Sequence, residues 1–247
     1  MPRAARVAIH ASMRSVNLEN SMHPTAMQNC RDFFRCYAPH IERGDEPVKV
    51  IEIGSQDVNG SLRSVCPEGF AYTGVDFVEG RGVDVVLQDP YALPFADASA
   101  DIVLASSVFE HSEMFWLLFL EVMRIIKPGG LFYLNVPSNG DFHRWPVDCW
   151  RFYPDSGNAL VTWARRNGMR PALLESYTSL QHDDQWNDFV AVFLKDEQFI
   201  GRFAGRILQH KRDFLNGIVA GDPASFRNYS EMPQDRIELR AIREARG

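Results

Sequence analysis

Residues 48–63 read Val-Lys-Val-Ile-Glu-Ile-Gly-Ser-Gln-Asp-Val-Asn-Gly-Ser-Leu-Arg. The first six form a short β-branched run that suits a buried strand. Gly54 follows at once. Having no Cβ, it lets the backbone turn tightly and approach a ligand. Ser61 to Val65 then predicts a short helix. A strand that runs into a glycine turn and a helix is how open α/β sheets build nucleotide sites. The loop does not match GxGxxG and has no Lys where a phosphate loop needs one. It therefore supports neither a dinucleotide fold nor a nucleoside triphosphatase.

The chain on either side repeats this alternation. Upstream, 26–37 predicts a helix, with Thr25 as its N-cap. Downstream, strands are expected at 72–75, 83–87 and 101–105. Phe115, Leu118, Phe119, Val122 and Ile126 then recur at three- and four-residue spacing, the mark of a helix with one apolar face. Lys127-Pro128-Gly129-Gly130 should stop that helix, and 131–136 predicts a fifth strand. Residues 155–167 read as a helix stopped by Gly168. The last two strands, 172–177 and 188–194, are joined without a helix, which predicts an antiparallel hairpin at one edge. The fold expected is α/β, a Rossmann-like, mostly parallel sheet with that edge hairpin. Residues 1–46 read as an N-terminal helical appendage, 47–196 as the sheet domain and 197–247 as a C-terminal helical tail.

Composition narrows the function. Of 247 residues, 45% are apolar and 23% charged, as in ordinary globular proteins, and the formal net charge is -6. A duplex-binding module usually shows a strongly basic balance, so nucleic acid is not an expected partner. The longest apolar stretch, Met114 to Leu120, is far short of a membrane span, and the first fifteen residues lack the apolar core of a signal peptide. No membrane partner and a cytoplasmic location are expected. Cys30, Cys36, Cys66 and Cys149 form no CxxC pair and read as free thiols.

Four candidate elements fall at predicted C-terminal strand ends, where open α/β sheets bind ligands. The first is the Gly54 loop. The second is Asp76, whose carboxylate can accept two hydrogen bonds from a ribose diol. The third is Asp89-Pro90-Tyr91, with an acceptor for an adenine amino group and a ring to pack on the base. The fourth is Ser106-Ser107, followed by Glu110-His111. Beyond the fifth strand, Asp141 to Asp155 (DFHRWPVDCWRFYPD) mixes titratable groups with aromatics.

The runs VIEIGSQDVNGSLR, YTGVD, LQDPYALPFADASADIVLASSVFEH and EVMRIIKPGGLFYLNVPS resemble a class I S-adenosylmethionine-dependent methyltransferase of the small-molecule branch. The resemblance covers about residues 48–137 and continues to about 195. It implies a seven-stranded sheet with a reversed last strand and S-adenosyl-L-methionine as cofactor. It further implies that Glu52 and Gly54 shape the methionine and ribose side, and that Asp76, with Phe77 beside it, holds the ribose. Asp89, Pro90 and Tyr91 would hold the adenine, and Ser106 and Ser107 would floor the pocket. The family's ExGxGxG loop is altered, with Gln56 and Val58 at the later glycine positions. Gln56 and Asn59 could instead supply hydrogen bonds to the amino-acid end, and Ser55 is a further cofactor-binding candidate.

HRWPVDCWRFYPD resembles a segment in a subset of these enzymes often found beside glycan or secondary-metabolite genes. Methyl transfer is an in-line displacement in which the protein mainly aligns donor and acceptor. An oxygen acceptor also benefits from a general base. His143, oriented by Asp148, is the first candidate and His111 the second. Each has a plainer reading. His143 could bond a backbone carbonyl, Asp148 and Arg151 could pin the loop, and Glu110-His111 could position the following helix. His182, Asp183 and Asp184 with His143 have no diagnostic metal spacing, and no metal is assigned. The expected function is methylation of a small-molecule acceptor, most readily at an oxygen of a sugar or secondary metabolite. The alternative is an inactive cofactor-binding or scaffold module. The terminal helices are available to cover the acceptor or to form a homodimer. Residues 44–100 hold three Lys/Arg against ten Asp/Glu, a negative field that suits a sulfonium donor.

Overall fold

Five strands set the frame: β1 (Lys49–Ile53), β2 (Ala71–Asp76), β3 (Val85–Val86), β4 (Ala100–Ser106) and β5 (Ile126–Pro137). All pair in parallel, in the order β3-β2-β1-β4-β5. The computed structural model describes residues 24–58, 60–182 and 186–246. β6 (Ala172–Ser179) and β7 (Asp188–Leu194) form the expected antiparallel pair, with β7 inserted between β5 and β6.

That pair is not at the edge. β8 (Phe214–Val219) adds to β6 and β9 (Asp222–Arg227) adds to β8, both antiparallel, so the sheet has nine strands rather than seven. The segment 197–247 is therefore not a purely helical tail. Asn216-Gly217 in the middle of β8 reads as a turn pair, and Asn216 does adopt a positive φ of 51°. The strand absorbs it as an irregularity in its register with β6 and β9.

Among the described residues four α-helices accompany the sheet: α1 (Pro24–Tyr37), α2 (Phe115–Ile125), α3 (Ser156–Arg166) and α4 (Gln234–Glu244). α1 holds Thr25 buried as a helical residue rather than at a cap. Its apolar stripe, Cys30, Phe33, Phe34 and Tyr37, packs on one sheet face with Val50, Ile102, Tyr133 and the segment around Phe203–Leu208. Each fully buried large side chain of this kind contributes ~1.5–3 kcal/mol. α2 and α3 cover the other face through Leu118, Phe119, Val122, Leu160 and Ala164. α3 ends as expected at Gly168, which takes a φ of 81°. Gly168 N donates to Arg165 O and Met169 N to Ala164 O, closing a left-handed cap. α2 passes straight into β5, so Lys127 to Gly130 belong to the strand. The parallel strands β1, β2, β4 and β5 point their C-terminal ends, and the loops that follow them, to one rim of the sheet.

Candidate functional site

The loop after β1 is built around a close approach. Gly54 has a φ of 74°, and a Cβ on it would lie 2.2 Å from Val108 Cγ2 in the loop after β4. Gly54 N and Ser55 N both donate to Val75 O, which ties the loop to the tip of β2. Ser55 Oγ is buried without a hydrogen-bond partner. Asp76 is mostly buried: Oδ2 accepts from Gln56 N at 3.2 Å and Oδ1 from Val78 N at 3.1 Å. Each oxygen keeps a second lone pair for a ligand. Phe77 beside it is 48% exposed.

Other residues of this group serve the scaffold as well. Glu52 lies buried beneath the loop, where it accepts from the Tyr72 hydroxyl at 2.8 Å. Burial pushes its carboxyl up to about 7. The side chain of Gln56 lies against Gly80. Asp89 Oδ1 accepts from Tyr91 N at 2.8 Å in a turn, and the Tyr91 hydroxyl accepts from Met114 N at 3.0 Å. Pro90 is exposed in that turn. Ser106 Oγ accepts from Asn135 Nδ2 at 3.4 Å, and Asn135 is linked through Asn29 of α1 to Ser179. Ser107 follows with a φ of 54°, a costly conformation for a side-chain-bearing residue. Asn59 lies outside the described residues.

The second group lies beside the first because β4 and β5 are neighbours. Glu110 O, just after β4, accepts from Cys149 N at 2.8 Å and Trp150 N at 3.2 Å, docking the 141–153 segment. Two histidines meet there, their ring centroids 4.9 Å apart and nearly perpendicular. His111 Nδ1 lies 2.5 Å from Val147 O, and His143 Nδ1 lies 3.1 Å from Asp141 O. Burial lowers the His111 pKa from its ordinary value, against the bond to Val147, which raises it. Asp148 accepts from His143 N at 2.8 Å, but its side-chain contact with His143 Nδ1 is 3.6 Å. Its strong partner is Arg151, which donates to both its oxygens, at 2.5 and 2.8 Å. That bond holds the carboxyl down to about 2. Asp148 therefore pins the loop as well as standing beside His143.

The aromatics of the segment divide. Phe152 is buried in the core, Trp150 packs on Phe115 and Trp116, and Phe142, Trp145 and Tyr153 are exposed. His182 pairs with Asp213 at 2.7 Å, while Asp183 and Asp184 lie outside the described residues.

Sequence reasoning missed one residue. Glu110 is fully buried, and neither carboxylate oxygen has a hydrogen-bond partner among the described residues. Burial pushes its pKa up to about 8. The buried Glu175 of β6 is the opposite case, accepting from Tyr37 Oη at 2.5 Å, Ile207 N at 2.7 Å and Leu208 N at 3.0 Å. The signal available in the sequence was an acid next to a histidine between the apolar pairs Val108-Phe109 and Met114-Phe115.

The strand order β3-β2-β1-β4-β5-β7-β6, with the loops after β1, β2, β4 and β5 on the C-terminal rim, is a Rossmann-like architecture. A family model described as a methyltransferase domain matches residues 60–134. An uncharacterized methyltransferase of Mycolicibacterium gilvum is 32% identical over 124 residues, covering 48% of this chain and 43% of the relative. One from Mycobacterium tuberculosis is 54% identical over 69 residues, covering 27% and 24%. The Burkholderia thailandensis 1,6-didemethyltoxoflavin-N1-methyltransferase, solved with 1,6-didemethyltoxoflavin and S-adenosylhomocysteine, superposes with a TM-score of 0.52 at 15% identity. That match covers 70% of this chain and 79% of the enzyme. The CMeT domain of the citrinin polyketide synthase gives 0.52 at 14%, over 69% and 52%. Over residues 60–134 the chain matches a methyltransferase domain, and it is similar to class I S-adenosylmethionine-dependent methyltransferases. It spans less than half the length of these mycobacterial relatives. Among the described residues no helix is long and apolar enough to cross a membrane.

Proposed function

We propose that the protein transfers a methyl group from S-adenosylmethionine to a small molecule, at a hydroxyl of a sugar or secondary metabolite. The observation that carries this reading is the adjacency of two groups on one rim. The Gly54 loop and Asp76 stand on one side, and the His111–His143 pair is docked through Glu110 O on the other.

The first group fits the cofactor. A cradle at Gly54 that a Cβ would fill, the unpartnered Ser55 hydroxyl and the spare acceptor capacity of Asp76 all suit an adenosine-bearing ligand. Asp76 would hold the ribose hydroxyls, with the exposed ring of Phe77 beside them. Asp89, Pro90 and Tyr91 would border the adenine, with Ser106 and Ser107 beneath the methionine portion. When bound, the cofactor supplies a methyl group activated on a sulfonium.

The chain's own task is then to align an acceptor and accept its proton. His143 is suited to the second role because its Nδ1 faces the Asp141 carbonyl, which can only accept. The proton therefore sits on Nδ1 and the Nε2 lone pair is open. Its side chain is 40% exposed, within reach of a ligand. The exposed rings of Phe142, Trp145 and Tyr153 offer flat apolar faces of the sort that stack on sugar or aromatic rings. α4 docks beside this segment, with Asn139 Nδ2 donating to Asp235 at 3.1 Å and Gln181 N to Gln234 Oε1 at 2.8 Å.

The test is a screen with methyl-labelled S-adenosylmethionine against glycosides and phenolic compounds. Label should pass to an acceptor oxygen, and His143→Ala should cut turnover by ~10²-fold or more with S-adenosylhomocysteine affinity unchanged. Absence of cofactor binding at millimolar concentration overturns the reading.

A further inference from the structure

Glu110, His111 and His143 come together although His143 lies 32 positions beyond His111. A ligating atom from each lies within 4.8 Å of those of the other two. Their surroundings are those of metal ligands. Both histidines direct Nδ1 to a backbone carbonyl, Val147 O and Asp141 O, so both rings are held in the tautomer that leaves Nε2 as a lone pair. Histidines that bind metals nearly always anchor their second nitrogen in this way. The His111 Nε2 lies 3.7 Å from Glu110 Oε1.

The carboxylate supplies an independent observation. It is completely enclosed, and neither oxygen has a hydrogen-bond partner on another described residue; the backbone group acting on the carboxyl is Glu110's own amide. A buried acid is ordinarily satisfied, as Glu175 is. The nearby charges do not compensate Glu110. Arg151 is engaged with Asp148 at 2.5 Å and 2.8 Å, and Asp148 and Asp188 are of the same sign. The one ion-pair contact of Glu110 among the described residues is His111.

We propose that Glu110, His111 and His143 bind a divalent first-row transition-metal ion of the Mn²⁺ or Zn²⁺ type. Two imidazoles and one carboxylate are a donor set such ions accept, and they leave coordination positions open. Asp148, held by Arg151, accepts from His143 N and so fixes the loop that carries this ligand. An acceptor hydroxyl could occupy an open position, where the ion would lower its pKa. That use of the site rests on the proposed methyl transfer, whereas the binding of the ion does not. In the ion-bound form His143 is a ligand, and the proton leaves from the bound hydroxyl to solvent. The His143→Ala variant loses turnover on either account, so only ion binding separates them.

The experiment is calorimetric titration of chelator-treated protein with Mn²⁺ and with Zn²⁺, without cofactor or acceptor. At least one of the two should bind at one ion per chain. Glu110→Gln and His143→Ala should each weaken it by about tenfold or more. S-adenosylhomocysteine affinity serves as the check that each variant is folded, and the half-exposed His143 gives a second variant if Glu110→Gln does not fold. No saturable binding of either ion overturns the proposal, as does binding that survives in every variant that folds. Neither result bears on whether the protein methylates an acceptor, which the label-transfer screen decides separately.

Discussion

Gly54 and Val108 approach so closely that a methyl group on Gly54 would sit 2.2 Å from Val108 Cγ2. The contact joins the loop after β1 to the loop after β4, the two loops between which the cofactor is proposed to lie. Gly54→Ala must meet that overlap and a left-handed backbone costing ~1–2 kcal/mol. Calorimetry with S-adenosylhomocysteine should show affinity lowered at least about tenfold, with a lower Tm. Adding Val108→Ala should restore part of the loss, since it removes the overlap but not the backbone cost. Unchanged affinity and Tm in the single variant would show that the loop can simply shift.

Asp76 is the ribose-binding candidate at the tip of β2. A charged-acceptor hydrogen bond contributes ~1.5–3 kcal/mol. Asp76→Ala should therefore weaken S-adenosylhomocysteine binding about tenfold or more in the same assay. Affinity equal to that of the parent protein would reduce the residue to holding Gln56 N and Val78 N.

Glu52 makes stability depend on pH. Burial raises its carboxyl to about 7, against an ordinary value near 4.5, and the Tyr72 bond opposes only part of that rise. Its contribution is complete below about pH 4.5 and is lost as pH climbs through 7. Glu52→Gln keeps an acceptor for Tyr72 and removes the charge. Its denaturation curves should show a shallower loss of stability between pH 5 and 8, by on the order of 2 to 3 kcal/mol. Parallel pH profiles for the two proteins would contradict this.

Asp148 acts with the opposite sign. The Arg151 bond holds its carboxyl at about 2, below an ordinary 3.8, so its contribution is present above pH 4 and fades as pH falls toward 2. Arg151→Ala leaves an almost fully enclosed carboxylate without its guanidinium and should cost about 2 kcal/mol at neutral pH. In a chain of this length that lowers Tm by roughly 4–8 °C. The gap between variant and parent should close in acid. A gap that stays constant to pH 3 would mean the pair contributes through packing alone.

The sequence exposed the parallel half of the sheet because each strand there is an apolar run bounded by a glycine or an acid. Lys49–Ile53 and Ala100–Ser106 are examples. β8 and β9 escaped because Asn216-Gly217 and Pro223 carry turn chemistry inside paired strands. The proposed cofactor-side residues lie near the strand ends where the sequence placed them. The depth of Glu110 was not legible, since local spacing gives an acid beside a histidine no depth. The 147–152 segment docks on the Glu110 carbonyl through Cys149 N and Trp150 N. The Asp148–Arg151 pair was legible as a pairing, but its dominance over the Asp148–His143 contact is a matter of ångströms.

The three donors that satisfy Glu175 come from opposite ends of the chain: Tyr37 from α1, and the Ile207 and Leu208 amides from beyond β7. During synthesis, residues 207 and 208 leave the ribosome after every strand of the parallel half. Until they arrive, β6 cannot bury its acid at low cost. A segment outside the sheet, made after β7, therefore licenses the closure of a strand made earlier. A chain ending at Leu194 should keep its β6–β7 side open to proteases while its β1–β5 side is protected.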